Sequence, residues 1–257
     1  MKYLIGIAAL ATLIGTPVLA ADMPLKAPPP APTWSWTGFY LGTEIGGAWA
    51  RTTIIHGPND PFVATGITTP LTNPVNSSGA LGGFTSGYNY QVGQLLLGYE
   101  GDFSFSNLNG TGYLLAPNFN PANSRTVTLE NVSTFRGRVG WLPSPQWLIF
   151  ATGGAAAVEE RFTWTSVAGL TQSTDQFAWG YTVGGGIEWR MDRLSFKVEY
   201  LHVGLNRIEF DNTALVGGPG FFTTDNLVRP CIDMVRFGIN VKIDSLPSFV
   251  PGLLPTH

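Results

Sequence analysis

The sequence predicts an all-β fold, an eight-stranded antiparallel up-and-down β-barrel whose strands span a membrane. First, only 12% of the 257 residues are charged, about half the roughly 25% found in typical soluble domains. Second, apolar and polar residues alternate with a period of two over stretches of about ten residues, the length of a membrane-spanning strand. Third, long and short connections alternate between these stretches, which is typical of transmembrane barrels.

The N-terminal segment predicts export. Residues 1–20 begin with Lys2, continue with the apolar stretch Leu4–Leu19 and end in Ala20, the pattern of a helical secretory signal peptide. The alternative is an uncleaved membrane anchor, but this apolar stretch is shorter than the roughly 20 residues that a spanning helix needs. Residues 21–35 contain five prolines and predict an extended periplasmic linker, followed by the barrel at 36–243 and a C-terminal tail at 244–257.

Eight stretches of alternating residues are assigned to strands. In one of them, Leu95 and Leu97 share one face while Glu100 and Asp102 share the other, as the period-two geometry of a strand requires. Residues 147–160 are apolar on both faces, so the pattern does not indicate which face points inward. The predicted strands are 39–49, 80–90, 95–105, 127–141, 147–160, 177–189, 194–203 and 235–243.

The connections predict which end of the barrel faces outward. Short turns are expected near Val92, at Pro143–Pro145 and near Asp192, and short turns lie at the periplasmic end of transmembrane barrels. A soluble lipocalin-like barrel fits the strand count, but its apolar face points inward around a ligand. Here one face carries ionised residues and the other carries large aromatic rings. Four long connections rich in Asn, Thr, Gly and Pro are predicted as external loops: 52–78, 107–125, 161–175 and 206–227.

The tryptophans are predicted to form two aromatic girdles, one at each membrane interface. Tryptophan is enriched at both interfaces of membrane proteins, and transmembrane barrels carry a ring of aromatic residues at each. One predicted group lies near the linker and the short turns, and it comprises Trp36, Trp141, Trp147 and Trp189. The other lies near the long loops and comprises Trp49, Trp164 and Trp179.

The polar strand faces predict a charged barrel lumen. Six acids and six bases fall on these faces: Glu44, Glu100, Asp102, Glu130, Glu188, Glu199, Arg136, Arg138, Arg190, Lys197, Arg236 and Lys242. Because isolated buried ions cost several kcal/mol each, we expect them to pair, with Glu188 facing Lys197 and Glu199 facing Arg236. One interpretation is a satisfied polar core that keeps the barrel rigid. The other is a gated pore, which is less favoured because open channels use about 16–18 strands.

Several segments resemble one family of bacterial proteins. WSWTGFYLGTEIGGAW, GYNYQVGQLLLGYEGDFSFSN, STFRGRVGW and WGYTVGGGIEW are similar to the alphaproteobacterial outer-membrane immunogenic porin-like family, the surface-antigen barrels of rhizobia and Brucella. The resemblance covers residues 21–243 and implies an OmpA-like transmembrane fold in the Gram-negative cell outer membrane. It also implies outer-membrane lipid, lipopolysaccharide and the barrel-assembly machinery as partners. The final strand departs from the family because Val241 and Ile243 stand where a terminal aromatic residue is usual.

These observations favour a non-enzymatic protein of the cell envelope. We expect a structural and surface role, in which the barrel anchors four extracellular loops that contact an unknown extracellular ligand. The alternative is a narrow gated porin for small solutes. The net charge of −3 and the pI of 5.6 argue against a nucleic-acid partner, which would select a basic surface.

Catalytic and cofactor roles are less favoured. A lipid A-modifying enzyme would place a serine beside a wall histidine, but the neighbours of His202 on its strand face are Tyr200 and Gly204. The family resemblance implies haem binding as a further possibility, with His56 or His202 and Tyr113 as ligands. No catalytic residue, cofactor or metal site is predicted. Cys231 is interpreted as a small apolar filler, the alternative being a cross-link between chains.

Overall fold

The computed structural model describes residues 35–58, 66, 69–70, 72–113, 122, 124–166, 168–211 and 225–243. The predicted signal peptide, nearly all of the proline-rich linker and the C-terminal tail lie outside these residues. Within the part of the chain that the structure describes, no helix is long and apolar enough to cross a membrane.

The described chain forms a closed ring of antiparallel strands. Each strand pairs with the next around the ring, and β1 pairs with β9 to close it. The short β8 follows β7 after Asn206 and Arg207 and pairs with the outer part of β9, so eight strands make the ring, as predicted. The strands are β1 (Gly38–His56), β2 (Val75–Val92), β3 (Leu95–Tyr113), β4 (Ser124–Ser144), β5 (Trp147–Thr165), β6 (Thr171–Met191), β7 (Leu194–Leu205), β8 (Ile208–Asp211) and β9 (Asp225–Ile243).

The short turns match the prediction, whereas the long loops are shorter than predicted. Gly93 and Asp192 adopt positive φ angles of 60° and 58°, the backbone conformation that two-residue hairpin turns demand. At the opposite end, β5 ends at Thr165 and β6 begins at Thr171, so most of the predicted loop 161–175 is strand. The loops predicted at 52–78, 107–125 and 206–227 likewise contain strand residues, at 52–56, 75–78, 107–113, 124–125, 208–211 and 225–227.

The outer wall carries an apolar band of membrane thickness. On β6 the outward-facing Trp179 and Trp189 are ten residues apart. At about 3.3 Å per residue and a tilt of about 40°, this spacing spans roughly 25 Å, the height of the apolar band of a transmembrane barrel. Large apolar side chains such as Phe135 and Ile45 are exposed on the wall between these levels.

The polarity of the wall inverts on the extracellular side of this band. Ile54, Val127 and Phe162 are buried inside the barrel there, while Arg51 and Arg161 lie on its outer face. The inside is therefore apolar and the outside is polar, as in a soluble barrel. The interior has three layers from top to bottom: an apolar core, a charged layer, and a small apolar cluster at the periplasmic end formed by Trp36, Leu96, Leu142, Leu148 and Phe150.

Candidate functional site: a charge network inside the barrel

Nine of the predicted lumen residues meet in one buried layer, here called the charge network. Because strand side chains alternate between faces, positions two apart on a strand point into the lumen together, as Glu100 and Asp102 do on β3. Each of the nine is less than 10% exposed. The network comprises Glu44, Glu100, Asp102, Arg136, Arg138, Glu188, Lys197, Glu199 and Arg236.

Two arginines join opposite sides of the lumen. Arg136 on β4 places its guanidinium 2.6 Å from a carboxylate oxygen of Glu100, 2.7 Å from Asp102 and 2.6 Å from Glu199. Arg236 on β9 lies 2.9 Å from both Asp102 and Glu199, and it also binds Glu44. Charge-assisted hydrogen bonds of this kind are about twice as strong as neutral ones. Each arginine therefore ties carboxylates of non-adjacent strands together.

The remaining two cations complete the network. Lys197 Nζ lies 2.7 Å from Glu100 and 2.9 Å from Glu199. Arg138 binds Glu188, and its guanidinium stacks 3.9 Å above the centre of the Phe150 ring. The lower apolar cluster therefore supports the network from beneath.

One of the two predicted pairings is present and the other is not. The register places Glu188 opposite Lys197 and Glu199 opposite Arg236, as predicted. Glu199 and Arg236 form an ion pair at 2.9 Å. The prediction of an ion pair between Glu188 and Lys197 is wrong. Lys197 binds Glu100 and Glu199, while Glu188 binds Arg138.

Three predicted lumen residues lie outside the network. A register shift between Leu129 and Asn131 reverses the alternation of β4, and Glu130 instead binds Arg161 on the outer wall at 2.6 Å. Arg190 and Lys242 lie at the periplasmic mouth, where they donate to the backbone carbonyls of Pro145 and Ser35. The predicted balance of six acids and six bases is therefore wrong, since the network itself contains five acids and four bases.

Neutral side chains complete the hydrogen bonding, and the sequence reasoning missed them. Tyr40 donates to Glu100 at 2.8 Å, and Ser104 donates to Glu44 at 3.0 Å. Each such residue lies two or four positions from a network residue on its own strand, so the alternation itself was the available signal. The partners missed are Tyr40, Ser104, Thr134, Ser195 and Asn240.

Five of the seven predicted girdle tryptophans face outward. Trp49 and Trp179 lie on the extracellular side, and the others lie near the short turns, so the outward group is Trp49, Trp141, Trp147, Trp179 and Trp189. The prediction is wrong for Trp36, which is buried beneath the barrel and donates to the Pro145 carbonyl at 3.2 Å. It is also wrong for Trp164, which packs on the upper apolar core and stacks with Arg125.

The wall histidine contacts an acid, and the cysteine is exposed on the outer wall. His202 Nδ1 lies 2.8 Å from Asp233 Oδ1, and Tyr200 donates to the same oxygen at 2.5 Å. Among the described residues no three His, Cys, Asp or Glu side chains are grouped to hold a metal ion. Cys231 is exposed, so its interpretation as a packed filler is wrong.

Glu160 is a buried acid in the upper apolar core. Its neighbours on the same strand face, Val158 and Phe162, are buried, and neither carboxyl oxygen has a hydrogen-bond partner among the described residues. A buried polar group without a partner costs about 1–3 kcal/mol or more. We therefore expect Glu160→Met to raise the free energy of unfolding by about 1–3 kcal/mol, measured by urea unfolding in detergent micelles.

The matched variant Glu160→Gln keeps a polar group of the same shape, and we expect it to raise the free energy of unfolding by less than Glu160→Met does. A lower unfolding free energy for Glu160→Met would contradict this prediction, because it would show that the carboxyl group makes a stabilising interaction.

A small cavity lies at the periplasmic mouth, below the charge network. It holds about 20 Å³ and is lined by Trp36, Tyr40 and Glu188, among others. That volume is about the size needed for one water molecule.

Comparison with known proteins agrees with the fold. A family model described as the outer membrane protein beta-barrel domain matches residues 7–221. The 31 kDa outer-membrane immunogenic protein of Brucella melitensis biotype 1 is 29% identical over 255 residues, covering 94% of this chain and 100% of the relative. The 22 kDa outer membrane protein of Rhizobium leguminosarum bv. viciae is 26% identical over 195 residues, covering 75% and 72%.

Two solved structures share the architecture. OprG of Pseudomonas aeruginosa aligns with a TM-score of 0.54 at 13% identity, covering 80% of this chain and 97% of that chain. The outer membrane protease OmpT of Escherichia coli aligns at 0.50 and 7% identity, covering 82% and 99%. The family match, the relatives and the closed ring of strands confirm the resemblance found in the sequence. The chain therefore belongs to the outer membrane protein beta-barrel domain family and is an outer-membrane protein.

Proposed function

We propose that this protein is a non-enzymatic structural and surface protein of the outer membrane, a closed barrel that anchors four extracellular connections. In this role the barrel contributes to envelope integrity, and the connections within 52–78, 107–125, 161–175 and 206–227 contact an extracellular ligand. Insertion would be carried out by the barrel-assembly machinery. The observation that carries the proposal is the charge network, which fills the lumen at its middle.

The network opposes passage of solutes for an energetic reason. Arg136 and Arg236 are completely buried, and each contacts three carboxylates that belong to two or three strands. A hydrated ion entering this layer has to separate several of these contacts at once. Removing one partner from a buried ion pair costs about 3–5 kcal/mol. Breaking these contacts therefore carries a free-energy cost that opposes a rearranged, conducting state.

A deletion strain tests the proposal through two readouts, envelope integrity and solute uptake. We expect deletion to increase sensitivity to detergent and to leave the uptake of small hydrophilic solutes unchanged. Complementation with the wild-type gene should restore resistance. The purified protein should give no conductance steps in a planar bilayer. A general porin, as the positive control, should give steps under the same conditions.

Steady wild-type conductance would contradict the proposal and support the narrow gated pore. In that case Arg236→Gln, which neutralises a central cation, should change the size or ion selectivity of the steps. Unchanged detergent sensitivity in the deletion strain would contradict the structural role itself. A change in the lipid A profile on deletion would instead support an enzyme.

A further inference from the structure

An open groove lies on the outer wall, just above the extracellular tryptophans. It is formed where β9, β1 and β2 adjoin, and it encloses about 470 Å³. Outward-facing side chains line it: Trp49, Arg51, Asn76, Ser78, Cys231 and Asp233. The groove belongs to neither the lumen nor the charge network.

Two exposed arginines lie on this face. Arg51 and Arg229 are both exposed, and neither forms an ion pair with any described residue. The register pairs Arg51 with Cys231 and Thr53 with Arg229, so the two arginines are diagonal neighbours on one face. Such positions lie about 7–8 Å apart. Two guanidinium groups are therefore within reach of a single ligand.

Two described acids, Asp233 and Glu209, lie near this pair. The Asp233 carboxylate already accepts a hydrogen bond from Tyr200 and lies against His202. Glu209 is exposed on β8 opposite Leu227, two residues from Arg229, and Arg207 is exposed two residues before it. By contrast, Arg161 on the opposite wall is bound to Asp175 and Glu130 at 2.7 and 2.6 Å. The described charged residues of the groove face, three arginines and two acids, therefore sum to +1, whereas Arg161 and its two acids sum to −1.

The depth of the pair indicates which molecule it meets. Arg51 lies two residues above the girdle residue Trp49, and Arg229 lies opposite a residue four above it. At about 3.3 Å per residue this places both side chains roughly 5–10 Å beyond the girdle, in the headgroup layer that interfacial tryptophans mark. In the outer leaflet of this membrane the anionic groups at that depth are the phosphates of lipopolysaccharide. Arginine binds phosphate with two parallel hydrogen bonds.

We propose that Arg51 and Arg229 form a binding site for the phosphorylated lipid A headgroup of lipopolysaccharide in the outer leaflet. The two guanidinium groups bind phosphate, while Asn76 and Ser78 donate hydrogen bonds to the sugar and the Trp49 ring covers its apolar face. The site fixes one face of the barrel, that of β9 and β1, against lipopolysaccharide. The proposal holds whether or not the lumen conducts.

The test measures affinity for purified diphosphoryl lipid A by titration of the folded full chain in detergent micelles containing EDTA. We expect Arg51→Ala/Arg229→Ala to weaken binding at least tenfold. Arg161→Ala removes an outward arginine at a similar depth that is already ion-paired, so it should leave binding unchanged. Arg51→Lys/Arg229→Lys should retain part of the affinity, because lysine keeps the charge but loses the bidentate geometry.

Lipid A stripped of both phosphates should bind the wild-type protein at least tenfold more weakly. Equal affinity of the wild type for both lipids, or of the double alanine variant and the wild type for diphosphoryl lipid A, would overturn the proposal. An equal loss in Arg161→Ala would overturn it too, since it would show unspecific attraction by any surface charge. The mobility shift of the unboiled protein on a gel confirms that each variant is folded.

Discussion

Replacing Arg236 with alanine is expected to lower the free energy of unfolding of the barrel by about 3–5 kcal/mol. The substitution leaves Glu44, Asp102 and Glu199 buried without the guanidinium that contacts all three. Glu44 loses the most electrostatic stabilisation, because its remaining cation, Lys197, is 3.9 Å away. Urea unfolding in detergent micelles, followed by the gel mobility of the folded form, measures the loss.

Two further variants make this result specific. Arg161→Ala removes an exposed arginine that is also paired with two acids, and we expect a much smaller loss because water screens exposed ion pairs. Adding Glu44→Gln to Arg236→Ala should recover part of the lost stability, because one uncompensated charge is removed with its partner. A loss below about 1 kcal/mol for Arg236→Ala would show that the charge network contributes no more than a surface pair.

Replacing Phe135 with arginine is expected to lower the free energy of unfolding by about 2–4 kcal/mol in a lipid bilayer. Phe135 is 64% exposed on the outer face of β4, and its neighbours across the strands are Gly101 and Ala155. It lies six residues above Trp141, which is roughly 15 Å along the membrane normal and therefore near the middle of the apolar band. Neither cross-strand neighbour can pair with the new charge, since both are small and apolar.

Val139→Arg is the matched control for depth. Val139 lies on the same face of the same strand but only two residues from Trp141, where an arginine reaches the interface and costs about 0–1 kcal/mol. Unfolding from vesicles compares the two variants directly. Equal costs at the two positions would contradict the assignment of the band between the tryptophan levels.

The membrane-spanning half of the barrel was predictable because its two faces meet different solvents. Lipid outside and charges inside impose a strict alternation, which is why residues such as Leu97, facing out, and Glu100, facing in, were placed correctly. Above Trp49 the outer face meets headgroups and water while the inner face is apolar. Polar side chains there point outward and apolar side chains point inward, the reverse of the membrane-spanning part. Ile54 and Phe162 therefore fell into predicted loops, although they lie in strands and pack the upper core.

The errors within the site have similar local causes. A single register shift in β4 turned Glu130 outward, and no periodicity reveals where such a shift occurs. Proximity to a strand end does not tell whether a ring faces lipid or folds beneath the barrel, as Trp36 does. Lys197 binds Glu100 and Glu199 because its side chain reaches across the lumen. Strand register alone does not determine that reach.

The extension of the wall beyond the apolar band determines how high the external tips stand. β5 continues to Thr165, eight residues past Ala157, which pairs with the girdle residue Trp179. At about 3.3 Å per residue and a tilt of about 40°, those residues raise the turn between β5 and β6 roughly 20 Å above the girdle, which is beyond the headgroup layer. A large soluble molecule can therefore reach that turn without penetrating the headgroup layer, because the hydrogen-bonded ladder of β5 and β6 continues to Thr165.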